Sequence, residues 1–187
     1  EKYQVTVPQL CIRYDLQLGT LPLPKTANPA HMLENAKVDF EISEQDMYEA
    51  LCERHSPEVQ KKLADGHVAI AGLGGLGSNI AVALARIGVG HLHLIDFDRV
   101  DITNLNRQQY FLDDVGRYKT EAIVKLLRQI NPWIKLRTDC VCVTETNVKD
   151  LFAEDEIVCE AFDNPEAKAM LVNGILEHFP EKKLVSA

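Results

Sequence analysis

A doubly wound α/β fold, with a mainly parallel sheet and helices on both faces preceded by a small N-terminal segment, follows from three observations. An apolar run over 67–71 enters a glycine-rich turn that opens a helix. Further apolar runs then alternate with stretches whose apolar residues recur at helical spacing, the pattern that a parallel sheet with crossover helices requires. The chain has 187 residues, 46% apolar and 26% charged, enough for one sizeable core plus an attached segment.

Taken in order, Pro8, Pro22, Pro24 and Pro29 break any long regular element near the start and leave room for short strands at 4–7 and 10–16. Residues 1–42 are therefore expected to be a segment of unknown role, either a small β-rich domain or an arm packed on the main fold or on a symmetry mate. From Ser43 the pattern turns helical, with Asp46 as the acidic third position and an apolar stripe of Met47, Ala50 and Leu51. A second helix follows from Ser56-Pro57 through Leu63, so residues 43–187 form the main domain with leading helices.

The first strand, 67–71, leads to a helix over 78–87, which Gly88-Val89-Gly90 ends. Residues 91–96 read as the second strand. A polar stretch follows, and then a helix over 117–130 carries Ile123, Leu126, Leu127 and Ile130 until Asn131-Pro132 stops it. The remaining elements are a third strand over 134–143, a short helix from Thr144 or Glu145 to about Phe152, a fourth strand over 157–162, a helix from Pro165 to about Phe179, and a fifth strand over 183–187. The whole reads as Rossmann-like.

The charge and cysteine content exclude several classes. A formal net charge of −8 argues against nonspecific binding to nucleic acid or to an anionic membrane. No apolar run approaches the roughly 20 residues of a membrane span, and no cationic start followed by an apolar stretch suggests export. The five cysteines, Cys11, Cys52, Cys140, Cys142 and Cys159, lack zinc-knuckle spacing. Cys140, Cys142 and Cys159 lie in runs that read as buried strands, where a thiol is a small packing residue, and Cys52 lies in a helix. A reduced, cytoplasmic setting is expected.

The turn is the centre of the functional reading. Gly72 allows the tight bend, Gly74 and Gly75 let backbone approach a phosphate, and Gly77 packs the helix closely on the strand, with the helix N-terminus aimed at the anion. An ordinary P-loop is excluded because Ser78 stands where its lysine belongs. The turn serves dinucleotides and ATP alike, and so does Asp96, placed at the end of the second strand to accept ribose hydroxyls. Asp98 either bonds loop backbone or faces cations. Asn104 and Arg107, three apart, project from one side of a helical turn, and Arg107 can hold two phosphate oxygens at once. Lys119 opens the next helix. Singly, each is more often a solvated surface group; together they suit a triphosphate and have no reason to exist in a dehydrogenase.

The run from Gly72 to Ser78, then Asp96-Phe97-Asp98, Asn104-Leu105-Asn106-Arg107-Gln108, Lys119 and Asp163-Asn164, resembles the ThiF/MoeB/HesA family, relatives of ubiquitin-activating enzymes, over about residues 51–187. The stretches Arg54-His55-Ser56-Pro57, Glu160-Ala161-Phe162-Asp163 and Ala167-Lys168-Ala169-Met170 are most similar to members that activate the sulfur carrier ThiS in thiamine thiazole synthesis. The resemblance implies adenylylation, by Mg-ATP, of the C-terminal glycine carboxylate of a ubiquitin-like sulfur carrier with a Gly-Gly tail; a molybdopterin-synthase carrier is the nearest variant. It further implies that Asp163 holds Mg²⁺, Asp96 the ribose, and Asn104, Arg107 and Lys119 the phosphates, in a homodimer. Pro57 departs from the family's Arg-Tyr-x-Arg pattern, leaving Arg54 either to substitute for that arginine or to be a surface residue. The family's zinc cysteines and carrier-gripping cleft would lie beyond Ala187, so the expectation is of an incomplete enzyme. Two rival classes remain: an NAD-dependent oxidoreductase or redox-sensing domain, and a noncatalytic scaffold.

Overall fold

The computed structural model describes residues 2–17, 21–51 and 56–186. Two compact units divide the chain, residues 1–54 and 55–187.

The described part of the first unit is helical and contains no strand: α1 spans Val7–Gln17, α2 Pro29–Asn35 and α3 Glu44–Leu51. The short strands expected at 4–7 and 10–16 are thus replaced by α1, and the β-rich domain with them. The cause is local. Thr6 and Gln9 form a reciprocal cap, in which Thr6 N donates to Gln9 Oε1 at 2.8 Å and Gln9 N to Thr6 Oγ1 at 3.4 Å. Pro8 falls in the first turn, where its missing N–H costs nothing. Gln17, at the far end, pairs with Ile42 backbone, accepting from Ile42 N at 2.7 Å and donating to Ile42 O at 3.0 Å. Lys2 and Tyr3 both bond Asp46, which holds that carboxyl down at about 2 and ties the chain start to α3. The unit's boundary falls after α3, later than the 42/43 division expected. Cys52 and Arg54 lie outside the described residues.

The second unit begins with α4, Pro57–Asp65, capped by Ser56, and continues through β1 His67–Ala71, α5 Gly75–Ile87, β2 His91–Ile95, α6 Lys119–Ile130, β3 Lys135–Asp139, α7 Val148–Leu151, β4 Ile157–Glu160, α8 Pro165–His178 and β5 Lys183–Ser186. The sheet is parallel throughout, in the order β3-β2-β1-β4-β5. Strand alternation sends Val68, Ile70, Leu92 and Leu94 to one face, where they meet Ala81 and Ala85 of α5 and Ile123 and Leu127 of α6. Ala69, Ala71, Ile95 and Val158 point to the other, against Phe152, Leu171 and Ile175. Burying each of these larger side chains contributes about 1.5–3 kcal/mol.

The expected alternation is present, with one change that matters. β3 stops at Asp139, the partner of the last residue of β2, so nothing is left for residues 140–143 to pair with. They turn away as a loop, and Cys140 and Cys142 are exposed where buried strand positions were expected; Cys159 is buried as predicted. His93, on β2, is buried with its Nδ1 2.8 Å from Asp155 and its Nε2 2.7 Å from Asp139. Among the described residues, no helix is long and apolar enough to cross a membrane.

Candidate functional site

The chain leaves β1 through Gly72-Leu73-Gly74 into α5. Gly72 has φ +93°, a left-handed conformation that favours glycine, and donates its N–H to Ile95 O at 2.8 Å. A Cβ on Gly77 would lie 1.8 Å from the Gly72 carbonyl oxygen, so the helix rests directly on the turn. Gly74, the N-cap, supplies no side-chain acceptor, and the first N–H groups of α5 keep their capacity for an anion. Ser78 is structural: its hydroxyl donates to Gly74 O at 2.7 Å and accepts from Gln109 N at 3.2 Å.

Leu73 is held at both ends. Its N–H donates to Asp96 Oδ2 at 2.7 Å, and its carbonyl accepts from the buried Tyr110 hydroxyl at 2.8 Å. Asp96, one residue past β2, takes a second backbone N–H from Asp98 at 2.7 Å. Burial pushes its carboxyl up from the ordinary carboxylate value, against the pull of those two N–H groups and of Lys119. Each Asp96 oxygen still has one lone pair for a further donor.

Lys119, the first residue of α6, is buried, and its ammonium reaches Asp98 at 2.8 Å and Asp96 at 3.8 Å. Asp98 therefore faces a cation. The two loops involved are zipped together, Val100 N to Arg117 O and Gly116 N to Val100 O, both at 2.9 Å, with the Arg99 guanidinium 3.8 Å over the Tyr118 ring.

Residues 101–108 fold as one capped turn. Asp101 accepts from Thr103 N at 2.8 Å while Asn104 Oδ1 accepts from Asp101 N at 3.1 Å. Asn104 thereby commits its side-chain oxygen to the turn and is not among the residues that line the cavity. Arg107 does: its methylenes would lie 3.5 Å from a Cβ on Gly75, and its Nη1 bonds Thr103 O and Asn106 Oδ1. Asn79 fastens the loop to α5 through Gly75 O and Arg107 O.

On the other side of β1, buried Glu160 accepts from Phe162 N at 2.6 Å, from Lys168 and from Ser186, fixing the exit from β4. Asp163 follows, exposed and without a hydrogen-bond partner among the described residues, just before Asn164 caps α8.

These groups surround one cavity of about 580 Å³ at the carboxyl ends of the strands, across the point where the strand order reverses. Gly72, Gly74, Gly75, Asp96, Asp98, Arg107, Lys119 and Asp163 line it; Gly77 stands behind the turn. Gln108 also lines it, a residue without a role in the sequence-based expectations, although it directly follows Arg107. Its Oε1 is buried without a partner among the described residues. Three carboxylates oppose two cations here, so a polyphosphate would need a further cation. Among the described residues no cluster of three His, Cys, Asp or Glu could hold a metal alone; Mg²⁺ typically takes one or two carboxylates plus substrate phosphates, which Asp163 can satisfy.

The ThiF family model matches residues 48–187. The sulfur carrier protein ThiS adenylyltransferase of Escherichia coli K12 is 42% identical over 106 residues, covering 56% of this chain and 42% of that protein. The tRNA threonylcarbamoyladenosine dehydratase of the same organism is 41% identical over 111 residues, covering 58% and 41%. The structure of that dehydratase in complex with ATP superposes with a TM-score of 0.71 at 32% identity, over 79% of this chain and 61% of that one. The chain thus spans less than half the length of these two curated relatives.

Proposed function

Because the chain belongs to the ThiF family, we propose that its second unit binds Mg-ATP and transfers the adenylyl group to a carboxylate, that of the C-terminal glycine of a ubiquitin-like sulfur carrier. The observation that carries this is the convergence of Arg107, Lys119 and Asp163 on one cavity around the start of α5. A carboxylate oxygen attacks the α-phosphorus, the bond to the β-phosphate oxygen breaks, and pyrophosphate leaves as the acyl adenylate forms. Two anions must meet, so the task is alignment and charge neutralisation rather than nucleophilic catalysis by the protein.

Within this reading the N–H groups of α5, Arg107 and Lys119 hold phosphates and Asp96 accepts from the ribose. Lys119 exchanges part of its bond to Asp98 for phosphate oxygens. Asp163 would hold Mg²⁺, which when bound neutralises polyphosphate charge. The carrier is ThiS-like, serving thiamine thiazole synthesis, with a molybdopterin-synthase carrier as the alternative; the active form is a homodimer, tested by its mass in solution. Likeness to the dehydratase favours a second reading, a threonyl carboxylate on tRNA, against which the net charge of −8 weighs.

Mg-ATP should raise the melting temperature and NAD should not. ATP–pyrophosphate exchange should then depend on a Gly-Gly-ended carrier rather than on tRNA. Asp163→Ala and Arg107→Ala should each lower exchange about 10²-fold without lowering thermal stability. Exchange at the unmodified rate in both variants removes this assignment.

A further inference from the structure

We infer that Cys142 is a modification site for low-molecular-weight disulfides and other soft electrophiles, lying at the base end of the nucleotide cavity, so that nucleotide and adduct exclude one another. This rests on the nucleotide reading above and extends it to a residue that the adenylylation chemistry does not use.

The placement follows from topology. The cavity runs along the strand ends from β3 through β2 and β1 to β4, and its phosphate features gather at β1 and at the start of α5. Its β3 end is the loop that leaves the sheet after Asp139, where Val141, Cys142 and Val143 line the wall without a charged side chain. Ile95 and Phe97 continue that apolar lining. A triphosphate held at Gly74 and Lys119 leaves this end to the flat, uncharged base.

The thiol itself is exposed, and its Sγ lies 3.8 Å from the Val143 carbonyl oxygen. Gln108, 8% exposed, lines the same space, and its Oε1 is buried without a partner among the described residues. Cys140, two residues away, is exposed but does not line the cavity, and Cys159 is buried in β4. The same molecule therefore supplies its own control.

With glutathione disulfide as reagent, the Cys142 thiolate attacks one sulfur. A new S–S bond joins Cys142 to glutathione, the old S–S bond breaks, and the departing glutathione thiolate takes a proton. The adduct, a charged tripeptide, occupies the base end.

The test uses the whole chain with iodoacetamide as the probe and peptide fragmentation to separate Cys140 from Cys142, with Mg-ATP binding measured by calorimetry on the same preparation. Saturating Mg-ATP should slow alkylation of Cys142 about tenfold or more and leave Cys140 unchanged. Glutathione disulfide should abolish ATP binding by the wild type and thiol reductant should restore it, whereas in Cys142→Ser the disulfide should leave that variant's own affinity where it was. If ATP binds and Cys142 is labelled at the same rate, or if the glutathionylated chain binds ATP as before, the inference fails alone. If the untreated chain binds no nucleotide, the nucleotide reading fails and takes the inference with it.

Discussion

At Gly77 a single hydrogen atom decides whether α5 can lie on the phosphate turn. The position offers no space, since a methyl group there would sit 1.8 Å from the Gly72 carbonyl. Gly77→Ala should therefore cost about 1–3 kcal/mol in urea denaturation and weaken ATP binding, because the helix start must shift to admit the methyl. This role was legible in the sequence, because a third glycine at that spacing after an apolar strand marks close packing of helix on strand. Asn104 was not. An asparagine three residues before an arginine can face a ligand or close its own turn, and only the structure shows its oxygen accepting from Asp101 N. Its contribution is indirect: it shapes the loop that delivers Arg107 and Gln108. Asp98 admits two roles in sequence, and only the 2.8 Å approach of Lys119, which is 21 residues away along the chain, chooses between them.

The elements of the second unit were recoverable because apolar runs and helical-period patterns alternate over residues 67–186, broken by the polar stretch before α6. The first unit misleads for a reason that can be stated physically. Proline density suggests broken structure, yet Pro8 sits in a helix's first turn and Thr6-Val7-Pro8-Gln9 is a capping sequence. Thr6→Ala should destabilise α1 by about 1 kcal/mol, seen as lost helical circular dichroism and faster amide exchange confined to α1. β3 shows the complementary error. Alternating apolar residues continue through Val143, but a strand lasts only as long as its neighbour, and β2 ends opposite Asp139. Local pattern carries no information about partner length, so two thiols expected in the core are exposed on the loop beyond β3 instead.

For the second unit as a whole, the reversal of strand order between β1 and β4 places residues from six separate stretches of sequence around one space. The sheet is also braced from within. His93 on β2 lies between Asp139, the last residue of β3, and Asp155, just before β4, joining three parts of the sheet by side chains alone. His93→Ala would leave Asp155, only 6% exposed, without its imidazole partner, while Asp139 keeps Arg137 at 3.1 Å. The expected loss is about 3 kcal/mol in equilibrium unfolding, larger than that of a surface histidine replaced in the same way. Nothing local foretells this brace, since His93 looks like one more member of a strand already containing His91, and both acids are remote from it along the chain.

The double tether of Leu73 has a kinetic meaning. With its N–H anchored by Asp96 and its carbonyl by Tyr110, each of the two peptide planes that meet at Leu73 is held before an anion arrives. The mould is cast before the guest enters: the entropy of arranging those amides is spent during folding, so an anion that docks there meets groups already in place.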